Sequence, residues 1–291
     1  YLCQHHCMSI CLHTQNKTEY HLQCPVTKTA EIKKDLLSLD VTELSATENL
    51  IHPGEYVLKA QELLSSLYGS DKSYILTGGS TSAIQSMICA GVKPGGTLLS
   101  AGDCHMSVIN TCALLGINLK LFPKEIDNSF SVPKGTGTLK KHLTDDIDAV
   151  IITSPITTEY VPTLKTQPKN VTKNIPLLVD EAHGAHFIAS NLFPQTAVNM
   201  QTQYAKVLTK RLINERKFVS SHKRRFNRQK RLENHFICFN RQVRQYVIAS
   251  SADIARDELT DGAMWEKTYD MCKSFKEKSP IQVSKFLKMT I

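Results

Sequence analysis

The stretch Pro176-Leu177-Leu178-Val179-Asp180-Glu181-Ala182-His183-Gly184-Ala185-His186 constrains the fold more than any other part of the chain. Three aliphatic residues run directly into an acid, and a His/Gly-rich turn follows. So short an apolar run, bounded by turn residues, reads as a strand buried on both faces, as in parallel sheets. Ligands of open α/β sheets sit beyond the carboxyl ends of the strands. Asp180 is therefore directed at a site, with His183 and His186 lining the loop after it. The alternative is an acid that caps the next turn.

Strands and helices alternate around this stretch. Gly54 to Tyr68 carries Val57, Leu58, Leu63, Leu64 and Leu67, an amphipathic helix ended by Gly69. Ser73 to Thr77 is a strand, and Gly78-Gly79-Ser80-Thr81-Ser82 opens a helix running to about Ala90. A Gly-Gly turn followed by hydroxyl residues offers free N–H groups and Oγ donors to a phosphate. The same string also serves as an ordinary Ser/Thr N-cap. Further strands are expected at Thr97–Ser100, Leu119–Phe122 and Ala149–Thr153, with a helix over Ser107–Leu115. The pattern predicts an α/β fold, a mostly parallel sheet with helices on both faces. Strand ends then bring Ser80, Thr81, His105, Ser154, Asp180 and His183 to one edge.

No apolar run in the 291 residues reaches the length of a bilayer span. The start, Tyr1 to Leu12, lacks the layout of a signal peptide, so a cytoplasmic protein with reduced thiols is expected despite nine cysteines. Cys3, Cys7 and Cys11 recur every four residues beside His5, His6 and His13, but without a C-x-x-C knuckle no metal site is assigned. The chain does not begin with Met, which suggests a fragment or a conceptual translation. Of the net charge of +8, residues 206–244 hold thirteen Lys/Arg and two Glu, a local +11 that leaves about −3 elsewhere. Such an excess normally points to a phosphate-backbone partner, with Phe218, Phe226, Phe236 and Phe239 as stacking groups.

A phosphate cradle, a ring-sized His and a buried Asp together suit pyridoxal phosphate. That cofactor needs an anion site, a carboxylate on its pyridine nitrogen and a lysine on its aldehyde. The chain resembles the ornithine/lysine/arginine decarboxylases of the aspartate-aminotransferase fold type. The resemblance rests on Gly79-Ser80-Thr81, on Asp103 to Asn110, on Thr153-Ser154-Pro155 and above all on Pro176 to His186. Asp40 to Leu44, His52-Pro53 and Ala252 to Arg256 also look like family segments. The resemblance implies that Ser80 and Thr81 hold the phosphate and that His105 stacks on the ring. It implies further that Asp180 pairs with the ring nitrogen and that His183 lies beside the cofactor. It also implies a basic amino-acid substrate, a homodimer in intact relatives, and neither a membrane nor a nucleic-acid partner. Met106 stands where the family usually has Lys.

The family's cofactor-binding lysine lies in a Ser-Thr-His-Lys string that this chain lacks. Residues 205–212 read Ala-Lys-Val-Leu-Thr-Lys-Arg-Leu instead. Codons that could encode them, GCC AAA GTA CTC ACA AAA CGC TTA, give Gln-Ser-Thr-His-Lys-Thr-Leu when read one base earlier. The same operation recovers family-like strings at residues 3–13, 22–30, 155–161 and 239–245. A frameshifted decarboxylase gene is therefore expected, with 1–30 and about 197–245 disrupted and the basic run an out-of-frame reading. The expected organisation is an N-terminal segment over 1–45, a cofactor-binding major domain over 46–245, and the start of a truncated C-terminal region over 246–291. Lys210 overlaps the shifted lysine codon and is the candidate for the catalytic lysine. The charged segment after it is expected to lack order, and the chain is expected to fold poorly and to have little or no activity. An inactive remnant or binding paralogue is the alternative.

Overall fold

The computed structural model describes residues 48, 50, 53–123, 125–127, 132–134, 139–155, 175–200, 204–209, 218–223 and 246–278. The Cys/His-rich start, Lys210 and the basic run over 224–245 lie outside them.

Seven strands form one sheet, in the order β1-β9-β8-β7-β6-β2-β3. They are β1 (Lys72–Ile75), β2 (Thr97–Ala101), β3 (Asn118–Phe122), β6 (Ala149–Thr153), β7 (Leu177–Asp180), β8 (Tyr204–Thr209) and β9 (Phe218–Lys223). A separate hairpin pairs β4 (Glu125–Asp127) with β5 (Val132–Lys134). The β2–β3, β2–β6, β6–β7 and β7–β8 pairs are parallel, whereas β9 is antiparallel to both β8 and β1. Two reversals restore direction, so β1 runs with the other strands and only β9 runs against them. The carboxyl ends of β1, β2, β6, β7 and β8 thus share one edge. Both β8 and β9 fall within the stretch expected to be disrupted. Tyr204, Val207, Leu208 and Thr209 in β8, with Phe218 and Val219 in β9, are residue types that suit a pleated sheet.

Helix α1 (Glu55–Tyr68) packs on β1, and α2 (Gly79–Gly91) and α3 (Met106–Leu115) follow β1 and β2. The α1 stripe that is buried is Val57, Ala60, Gln61, Leu64 and Tyr68. Leu58, expected on that stripe, is 46% exposed, because Ala60 and Gln61 set the buried side one position round. Gly69 ends the helix at φ +64 in the left-handed region that glycine adopts without a Cβ penalty. Helix α4 (Tyr246–Glu258) contacts α1, and α5 (Gly262–Lys278) follows it.

The sheet has a core on each face. Leu178 of β7 packs in one with Ala83, Ile84 and Met87 of α2 and Val108 and Cys112 of α3. Leu177 and Val179 pack in the other with Ala197 and Val198. Strand side chains alternate between faces. Asp180 therefore follows Leu178 to the α2–α3 side, and Glu181 follows Val179 to the opposite side. None of the helices among the described residues is long and apolar enough to cross a membrane.

Candidate active site

The site begins at the amino terminus of α2. Gly78 precedes it without a side-chain cap, and Gly79 lies at φ +94, a conformation that disfavours any residue with a Cβ. The first-turn N–H groups of a helix have no intrahelical acceptors and carry the positive end of its dipole. Here they belong to Gly79, Ser80 and Thr81, with Ser80 half-buried and Thr81 exposed. The Ser82 hydroxyl turns inward and donates to the Gly79 carbonyl at 2.9 Å. What remains is a cradle of N–H donors flanked by two hydroxyls.

His105 is the N-cap of α3, with an extended backbone at φ −64, ψ 148. Its Nδ1 accepts from the Ser107 N–H at 3.1 Å and lies 2.8 Å from Ser107 Oγ. The imidazole is exposed at the sheet edge. Beside it, burial pushes the Cys104 thiol upward, a Ser100 hydrogen bond pulls it down, and Asp103 and Asp180 push it up again. The net direction is upward, favouring the protonated thiol.

Asp180 closes β7 and is 5% exposed. Its Oδ1 accepts from the Ala182 N–H at 3.2 Å. Burial raises its pKa above the ordinary carboxylate value; the Ala182 bond and the positive influence of His105 act downward, and Glu181 acts upward. The backbone carbonyl of Asp180 accepts from the Ser154 N–H at 2.9 Å, which fixes the end of β6 to the end of β7. His183 is half-buried in the turn that follows. Ser80, Thr81, His105, Ser154, Asp180 and His183 all lie at the carboxyl edge of the sheet, while Lys210 lies outside the described residues.

His186 leaves the site. The one-turn helix Ala185–Ile188 carries its ring onto Trp265 of α5, stacked at 5.7 Å and 16°, with Phe193 edge-on at 5.0 Å.

Glu181 was not singled out from the sequence, yet it organises the loop. It is 1% exposed, and its carboxylate accepts from Thr196 Oγ1 at 3.0 Å and from the Ala197 N–H at 3.0 Å. The only signal was strand alternation, which assigns two adjacent acids to opposite faces. Tyr68 reaches the same loop from α1, its hydroxyl donating to the Ala185 carbonyl at 2.8 Å. Gly184 completes the packing. A Cβ there would lie 2.7 Å from Glu181 Cγ and 2.9 Å from both Pro155 Cδ and Phe187 Cε2. Gly184→Ala is expected to destabilise the chain by about 1–3 kcal/mol through overpacking, read as a lower midpoint in urea unfolding.

The donor set fits pyridoxal phosphate. An uncapped helix terminus with hydroxyls suits a dianion. The imidazole offers a flat face, and a carboxylate whose charge is penalised by burial calls for a cationic N–H partner. A largely parallel α/β sheet with one reversed strand, carrying these groups at its carboxyl edge, defines the aminotransferase-like fold class. Comparisons of structure agree. The fold superposes on an N-succinyldiaminopimelate aminotransferase from Mycobacterium tuberculosis with TM-score 0.58 at 13% identity, covering 79% of this chain and 62% of that one. It superposes on the Francisella novicida lysine decarboxylase LdcF with TM-score 0.78 at 15% identity, covering 97% and 44%.

The chain belongs to the Orn/Lys/Arg decarboxylase family, whose major-domain model matches residues 29–290. The family uses pyridoxal phosphate. Over 173 residues the chain is 37% identical to the uncharacterised protein YaaO of Bacillus subtilis, covering 57% of this chain and 35% of that one. Over 255 residues it is 24% identical to an arginine decarboxylase of Bacillus cereus, covering 84% and 55%. The chain thus spans between about a third and just over half the length of these curated relatives.

Proposed function

We propose that this chain carries the cofactor-holding part of a decarboxylase acting on a basic amino acid (lysine, ornithine or arginine), with turnover impaired. The observation that carries the reading is the position of Asp180. It is a buried strand-end carboxylate on the sheet face covered by α2, and the uncapped start of α2 lies at the same edge.

Gly79, Ser80 and Thr81 would hold the phosphate through N–H and hydroxyl donors, and His105 would lie against the ring. Asp180 would hold a proton on the ring nitrogen. When bound, pyridoxal phosphate supplies an electron sink for the bond from the α-carbon to the carboxylate. The cost of burying the Asp180 charge falls once its oxygen accepts from a protonated nitrogen. Burial of the β7 end excludes water from this contact, so the carboxylate competes with no solvent for that proton.

Lys210 follows directly on Thr209, the last residue of β8, and β8 pairs in parallel with β7 beside Asp180. That adjacency supports Lys210 as the lysine that bonds the cofactor's aldehyde. Its neighbours differ from the family string, which supports weak turnover. Borohydride treatment of the protein with pyridoxal phosphate, followed by peptide mapping, is expected to label Lys210. A label on another lysine would reject this assignment. The coding DNA tests the frameshift: bases around residue 206 should spell Ser-Thr-His-Lys in another frame. Assays for carbon dioxide release from the three amino acids test both substrate and impairment. Robust turnover of any one would overturn the impairment.

A further inference from the structure

We propose that Ser107 is a positioning residue that locks the neutral His105 ring in the tautomer protonated on Nε2, leaving that N–H as the ring's donor toward a bound ligand. The inference deepens the cofactor reading above and rests on it for the identity of that ligand.

The argument turns on one donor that cannot be inverted. A hydroxyl can donate or accept, so the 2.8 Å contact between Ser107 Oγ and Nδ1 is compatible with either tautomer. The Ser107 backbone N–H only donates, and at 3.1 Å it requires a lone pair on Nδ1. A proton on Nδ1 would face that N–H and forfeit the bond. With Nδ1 accepting, the single proton of the neutral ring sits on Nε2.

The surroundings hold Ser107 in place. It is 4% exposed in the first turn of α3, and its carbonyl accepts from the buried Thr111 hydroxyl. The His105 carbonyl accepts from the Val108 N–H at 2.9 Å, which fixes the backbone that bears the ring. The imidazole is therefore anchored at its backbone and at Nδ1, and the residue as a whole is exposed. The Nε2–H is left for an oxygen acceptor of the ligand.

The test is nitrogen-15 NMR of the imidazoles in the cofactor-free full chain, with the His105 signals assigned by their loss in His105→Gln. The expected pattern is a protonated Nε2 and an unprotonated Nδ1. Ser107→Ala retains the backbone donor and should keep that pattern. Ser107→Pro removes the donor, and proline is tolerated in a first helical turn. It should shift the tautomer ratio by about fivefold or more, the equivalent of one ordinary hydrogen bond. Protonation on Nδ1 in the unsubstituted chain would overturn the proposal, as would an unchanged ratio in Ser107→Pro whose circular dichroism matches the parent. Pyridoxal phosphate titration of the same samples separates the two readings: an Nε2–H ring in a chain that does not bind the cofactor removes the cofactor reading alone.

Discussion

Asp180→Asn is expected to raise the thermal stability of the cofactor-free chain at pH values above the folded-state pKa of Asp180, while weakening pyridoxal phosphate binding roughly 10- to 100-fold. Both effects have one cause. Burial raises the pKa of Asp180 in the folded state. Between the unfolded and folded values, the folded chain holds a proton that the unfolded chain has released. The stability contributed by the protonated group is complete below the unfolded pKa and is lost as pH rises through the folded one. Above its folded-state value the chain carries a carboxylate whose charge burial penalises. Asparagine removes that charge at nearly the same volume. Melting temperatures measured across this pH window should decline with rising pH in the parent and decline less in Asp180→Asn. With cofactor the order reverses, because the protonated ring nitrogen loses its charged partner. A variant both less stable without cofactor and unchanged in affinity would contradict the account.

Glu181→Ala is expected to have the largest effect on stability, about 2–4 kcal/mol. Its carboxylate is the acceptor for the Thr196 hydroxyl and the Ala197 N–H. Truncation removes the acceptor of two buried donors and opens space beside Pro155 and Phe187, whose atoms crowd Gly184. Thr196→Val removes one of the two donors and should cost less, about 1 kcal/mol. Urea unfolding of the two single variants and the double variant checks this. The double variant should fall short of the sum, since the Thr196 donor no longer needs an acceptor once it is gone. Full additivity would show that the pair does not interact.

Local signals carried most of the fold. The apolar run before Asp180, the Gly-Gly-Ser-Thr helix start and the Ala149–Thr153 strand are each specified by neighbours a few residues away. The observed elements follow them within two residues. Strand order was not legible, because pairing β1 with β9 joins residues far apart in sequence, and no local pattern encodes the reversed direction of β9. In the site, Asp180 was legible because it ends a wholly apolar strand. Glu181 was hidden beside it, since its partners at 196–197 are brought near only by the fold. His186 shares a motif with His183, but the tight turn after Gly184 and the presence of Trp265 on α5 redirect it. Ser107 gave no sign, because its role depends on the backbone geometry of a helix cap.

The most direct measurement is a spectroscopic titration of pyridoxal phosphate into the purified chain, Ser80→Ala and Asp180→Asn, with pyridoxal lacking the phosphate as the comparison ligand. The expected result is saturable binding of one equivalent by the parent. Ser80→Ala should narrow the preference for the phosphorylated form, and Asp180→Asn should weaken both ligands alike. Absence of saturable binding, or affinities that neither substitution alters, would show that no pyridine ring spans the distance from the α2 terminus to the strand-end acid.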